Sequence, residues 1–208
     1  MNFFGHAVVA AWTDAHAEHL LGSMLPDFEA MVRVPMVEVR DPDIQRGIDL
    51  HHRTDQAFHR STAFVALCAR ALSQMLELGV RRGTSRAVAH IGTELFLDGW
   101  LVREPRHVDM YLSALQIDAR NRVAWQDEGA AFERLQARLC AWGAPRGYQE
   151  PEFVLARLTD SLGRRPALAL RDDESARVAT FLPSLQRMVE RSAPELLTQI
   201  RSGLGFGH

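Results

Sequence analysis

Lysine is absent from this 208-residue chain, so all 24 of its basic side chains are arginine. We read that as compositional bias of the gene rather than as selection for bidentate phosphate binding, although arginine suits that task. Against 26 acidic residues the formal net charge is only -2, which argues against a nucleic-acid module, whose binding needs a concentrated positive surface, and leaves room only for local basic patches. Cysteine is nearly absent too. Cys68 and Cys140 lie in apolar surroundings without CxxC spacing, which predicts two buried thiols in a reducing compartment rather than a disulfide or a zinc pair.

No apolar run approaches the roughly 18 residues of a membrane span, so no membrane association is expected. The N-terminal stretch FFGHAVVAAW lacks a basic leader and carries His6 at its centre, so it reads as buried structure of a cytoplasmic protein and not as a signal-peptide core. With 47% hydrophobic residues the chain can bury one sizeable core, and a single domain over 1–208 is expected.

Strand signals are scarce as well. The best is Val32 to Val39, where prolines and charges interrupt the alternation, so Met24 to Asp41 is expected to be an irregular loop. Helical periodicity is common. It predicts helices over 2–21 (broken near Thr13 and Asp14), 41–59, 61–78 with Gly79 as its stop, and from Thr84 or Ser85 to Val102. Further helices are expected over 108–115, 121–142, 152–162 and 172–200, the last interrupted at Pro183 and Pro194. The glycine-rich end, 200–208, is expected to be a flexible tail. The fold class is therefore all-α, a single-domain helical bundle.

Seven of the nine histidines fall before residue 91, together with acidic residues at helical spacings. In GIDLHHRTDQAFH, His51, Asp55 and His59 stand four apart in turn and can share one helix face, with His52 competing for the place of His51. The fourth helix is apolar on nearly every side, yet it sets His90 and Glu94 four apart and Asp98 one turn further on. A buried carboxylate costs several kcal/mol unless a cation, hydrogen bonds or a raised pKa satisfies it. A divalent metal answers that need; a plain His90–Glu94 hydrogen bond is the alternative.

Several short motifs resemble, in order, those of the bacterial acyl carrier protein phosphodiesterase family, relatives of the HD-domain metal phosphohydrolases. They are the opening MNFFGHAVVA, then LLGSMLPDF, GIDLHHRTD, TELFLDGWL and LGRRPAL. The resemblance implies an HD-domain-like helical fold and places the family's metal and catalytic positions on His6, Asp27, His51, Asp55 and Glu94. The chain departs from the family where Glu94 is followed by Leu95 instead of histidine, with His90 one turn earlier as the substitute ligand, and it has histidine at positions 52 and 59.

The implied activity is release of 4'-phosphopantetheine from holo-acyl carrier protein. A divalent ion, not distinguishable among manganese, iron, magnesium and zinc, would polarise the phosphoryl oxygen and activate a water. Asp55 or Asp27 would orient or deprotonate that water, Arg53 would hold the phosphate with Arg164 and Arg165 as remoter candidates, and the runs Arg81, Arg82, Arg86 and Arg164, Arg165 could meet an acidic carrier protein. Two other readings stay open: an HD-like hydrolase of a nucleotide or other small phosphate ester, and a non-catalytic helical metal-binding or interaction protein.

Overall fold

Helices dominate the computed structural model, which describes residues 1–206. The expected tail therefore lies partly outside the described residues. The protein is all-α apart from one two-stranded sheet. Residues 1–56 with 101–145 form one compact unit, and residues 57–100 with 146 onward form a second.

The first unit is built on α1 (Phe3–Ala10) and α2 (Ala17–Val32), the break falling where Thr13 and Asp14 interrupt the apolar periodicity. Every residue of α1 is buried. A helix apolar all round has no solvent face to offer and can only be a core element. It packs on α2 and on α6 (Pro105–Leu115), and α2 packs on α7 (Ala130–Trp142). Aromatic rings fill the space between: Phe3 lies 5.7 Å from Phe28 and 6.0 Å from Tyr111, and Trp125 stacks on Phe132 at 5.0 Å.

The expected loop from Met24 to Asp41 is instead helical as far as Val32. Pro26 sits inside α2. Proline in a helix costs about 3 kcal/mol, but Met24, Leu25 and Phe28 are fully buried around it, and burying each such side chain yields about 1.5–3 kcal/mol. The helix ends where Arg33 adopts a left-handed conformation. Only Met36–Val39 of the expected strand pairs, as β1, and its antiparallel partner β2 (Val123–Trp125) takes residues read as the start of a helix. That helix, α7, begins after Gly129, whose φ of 89° favours glycine.

Helix α3 (Pro42–Arg60) starts at Asp41, whose Oδ1 accepts from the backbone N–H groups of Asp43 and Ile44, with Pro42 in the first turn. Asp41 also meets Arg122, which reaches Glu18 at 3.2 Å and so ties the β2 end of the unit to α2 and α3. Two glycines let α2 and α3 touch backbone to backbone. A Cβ on Gly22 would overlap the carbonyl of Ile44, and one on Gly47 would overlap the carbonyl of His19 and lie 2.7 Å from the N of Ser23.

The second unit contains α4 (Thr62–Glu77), α5 (Arg82–Leu101), α8 (Pro151–Gly163) and α9 (Asp172–Gly203), with α9 packed on both α4 and α8. Ser61 caps α4 by accepting from the Phe64 N–H. The start of α5 differs from expectation: it begins before Thr84 and Ser85, which are buried in its first turn.

Helix α9 also runs unbroken through Pro183 and Pro194. Phe181, Leu182, Leu185, Val189, Leu196 and Ile200 are all buried along one face, and their burial outweighs two missing backbone bonds. Residues 200–203 of the expected tail belong to this helix, and Leu204 beyond it is buried. Near its start, Glu174 is 2% exposed and accepts from the Arg81 guanidinium at 2.7 and 2.9 Å and from the Arg81 backbone N–H. That bidentate contact holds its carboxyl at a pKa of about 2 against the opposing effect of burial.

The thiols are free, Cys68 half-buried and Cys140 exposed, the latter against expectation. Cys140 lies on the solvent side of α7, whose core face carries Phe132, Leu135 and Leu139. Burial pushes the Cys68 thiol up to about 11.

The close approach at Gly47 generates a stability prediction. Gly47→Ala should lower the unfolding free energy by about 3 kcal/mol, because the new methyl group meets backbone that cannot rotate away. Gly163→Ala, where nothing lies within 4 Å of the added Cβ, should stay within about 0.5 kcal/mol of the parent. Urea unfolding curves of the two variants check this; equal midpoints would refute it.

Candidate metal centre

His6, Asp27 and His51 come together from three different helices of the first unit. Each offers a ligand atom lying within 4.8 Å of the other two. His6 stands on the all-buried α1, Asp27 one residue after Pro26 in α2, and His51 one turn beyond Gly47 in α3. Asp27 is thus a mid-helix residue, not the helix cap that its position after a proline suggests.

The contact between Gly22 and Gly47 decides the orientation of His51. With α2 and α3 at backbone distance, His51 Nδ1 reaches the Ser23 carbonyl at 2.8 Å. A carbonyl only accepts, so Nδ1 carries the proton and the Nε2 lone pair is left for a ligand. Metal-bound histidines are commonly fixed in this way through their second nitrogen.

The two imidazoles stack, ring centroids 3.7 Å apart and planes 21° from parallel. Both rings are nearly inaccessible, His6 at 1% and His51 at 5% exposure. Burial first, and the neighbouring His6 second, pull the His51 pKa from 6.5 down to about 3. At neutral pH His51 is therefore neutral, as a metal ligand must be.

Asp55 sits one turn beyond His51. Its Oδ1 is 3.2 Å from His6 Nε2 and 2.7 Å from the Met1 amino group, and its Oδ2 is 3.9 Å from His51 Nε2. Burial alone would raise its pKa; His6 and the Met1 ammonium overcome that and hold the carboxyl well below the usual range. Asp55 is ionised throughout the neutral range. It serves here as a charged neighbour that orients His6.

Arg53 is exposed on α3, two residues from both His51 and Asp55. That spacing turns its side chain about 160° away from theirs, so nothing in the helix geometry aims it at the group. His52 is also exposed; its ring meets His51 edge-on at 5.4 Å.

His90 and Glu94 lie on α5 in the second unit, where they group with His59 from the last turn of α3. His90 Nε2 is 3.1 Å and His59 Nε2 4.0 Å from Glu94 Oε1. Burial pushes the Glu94 pKa up, but the hydrogen bond from His90 and neighbouring positive charge outweigh it and the net shift is downward. Asp98, fully buried one turn on, belongs to neither group. His59 shares a helix face with His51 and Asp55 in sequence; nothing in the spacing revealed that it pairs with α5.

Of the arginines expected to meet an acidic partner, Arg82, Arg86, Arg164 and Arg165 are exposed. Arg81 is not available, because its guanidinium is engaged by Glu174 and by the carbonyls of Ala167 and Ala169. No described helix is long and apolar enough to cross a membrane. No family model matches this chain, and no curated protein or solved structure matches it.

The residues of the first group could hold a metal ion. Ions with bonds of about 2.0–2.2 Å hold their ligand atoms about 3–4 Å apart, and the three ligand atoms here lie within 4.8 Å of one another. Two imidazoles with a carboxylate are donor types that match manganese, iron or zinc better than magnesium or calcium.

The depressed pKa of His51 predicts a pH dependence. Because its folded value lies below its unfolded one, the unfolded chain binds the proton first as pH falls, so this group removes stability below about pH 6.5 at up to about 1.4 kcal/mol per pH unit, until about pH 3. In metal-free protein, ring-nitrogen NMR of His51 should show the neutral Nδ1–H tautomer unchanged from pH 8 to pH 5. Titration of His51 near pH 6.5 would contradict the geometry.

Proposed function

We infer that the protein is a metal-dependent phosphodiester hydrolase of HD-like type, acting on the phosphopantetheine arm of holo-acyl carrier protein. The observation that carries this reading is the convergence of His6, Asp27 and His51, with the His51 Nε2 lone pair left open by the bond from Nδ1 to Ser23. The motif resemblance singles out the same positions, and the glycines of two of its motifs, Gly22 and Gly47, are the ones that let α2 and α3 meet.

His6, Asp27 and His51 would hold the ion. When bound, a divalent ion in such a site supplies a Lewis acid for a phosphoryl oxygen and lowers the pKa of water. The protein's own contribution is in the surrounding charges. Asp55, ionised and about one-third exposed, stands at the edge of the group where it can take a proton or hold one in line, while its contact with His6 keeps that ring from turning. Burial of His51 keeps its imidazole neutral and its Nε2 lone pair able to meet a cation.

The exposed arginines Arg82, Arg86, Arg164 and Arg165 suit an acidic carrier protein by charge. Arg53 is left out of this reading because of its direction on α3.

Purified protein supplied with manganese should release phosphopantetheine from holo-acyl carrier protein. Asp27→Asn and Asp55→Asn keep the size of the side chain but lose its charge, and each should lower the rate by at least about 100-fold with the helical circular dichroism unchanged. Wild-type turnover by both variants, or no hydrolysis of any phosphodiester by the parent protein, would defeat the reading.

A further inference from the structure

We propose that His59, His90 and Glu94 form a zinc site of their own in the second unit. The three present ligand atoms within 4.8 Å of one another. His90 and Glu94 stand four residues apart on α5, which brings both side chains to one face, and His59 comes to that face from the end of α3.

An ordinary pair between residues four apart explains only part of this. Glu94 Oε1 already has His90 Nε2 at 3.1 Å, yet His59 also directs Nε2 towards the same oxygen from 4.0 Å. The two imidazoles stack 4.9 Å apart with planes 27° from parallel. Two ring nitrogens facing one carboxylate oxygen offer three donors to a single compact cation.

Phe64 holds the arrangement. Its ring meets His59 edge-on at 5.3 Å and His90 at 5.2 Å, forming an apolar wall that fixes both. Preset rings lose little freedom when an ion binds.

Donor chemistry chooses the ion. Two nitrogens and one carboxylate oxygen is a set that zinc takes in sites with an open fourth position, while calcium and magnesium require mostly oxygen. Glu94 is 16% exposed and His90 46% exposed, so the site has a buried floor and a solvent side from which the ion enters and water completes the shell. This assignment does not rest on the hydrolase reading.

Zinc binding to the full chain, with zinc alone as the probe at pH 7.5, tests it. Equilibrium dialysis should show His59→Ala/His90→Ala binding one equivalent fewer than the parent, with circular dichroism unchanged. Asp27→Asn should retain the equivalent that the double variant loses. In the parent protein, the ring NMR signals of both His59 and His90 should shift together and saturate with zinc, a readout that needs no variant to fold. Equal zinc uptake by parent and double variant, loss of all binding in a folded Asp27→Asn protein, or unmoved His59 and His90 signals would each overturn the site. Failure of phosphodiester hydrolysis would leave all of these measurements unaffected.

Discussion

The contact of α2 with α3 through Gly22 and Gly47 is the constraint on which the first unit's chemistry depends. Any side chain at either position would push the helices apart, because the facing atoms are backbone and cannot rotate away. At that separation the bond from His51 Nδ1 to Ser23 would be lost. His51 would then be free to choose its tautomer, and a buried ring would lack a partner. A packing requirement thus decides a protonation state. The coupling is local and one-directional, since the glycines set the distance and the imidazole answers to it.

Around this contact the charges are arranged so that each offsets a cost created by another. Burial favours neutral histidines, which suits stacking at 3.7 Å, and burial alone would also favour a neutral Asp55. The Met1 amino group and His6 reverse that for Asp55 alone. The result is a neutral His51 imidazole one turn from an ionised Asp55. In the second unit the same residue types stand more openly, with the Phe64 ring packed edge-on against both imidazoles.

Long-range burial explains the helices that contain proline. In both α2 and α9 a missing backbone bond is accepted because large apolar side chains on the adjoining turns have no better place. At the head of α9 the Arg81–Glu174 contact adds an anchor across 93 residues of sequence, and it removes Arg81 from the surface in the process.

What was legible in the sequence follows from periods of two and 3.6 residues. The all-α class, the break after α1, the extents of α3 and α4, and the shared face of His51 and Asp55 are all local properties of the chain. Boundaries failed where distant groups intervened: Pro26, Pro183 and Pro194 read as interruptions because the compensating burial comes from other segments, and Val123 to Trp125 read as helix because its strand partner, Met36 to Val39, lies far back in the sequence. For the candidate sites, residue types and spacings within one helix could be read directly, as with His90 and Glu94. Which helices meet could not. That His6 stacks on His51, that Ser23 fixes the tautomer of His51, and that His59 joins His90 are decided only when tertiary packing brings together backbones whose separation no local periodicity encodes.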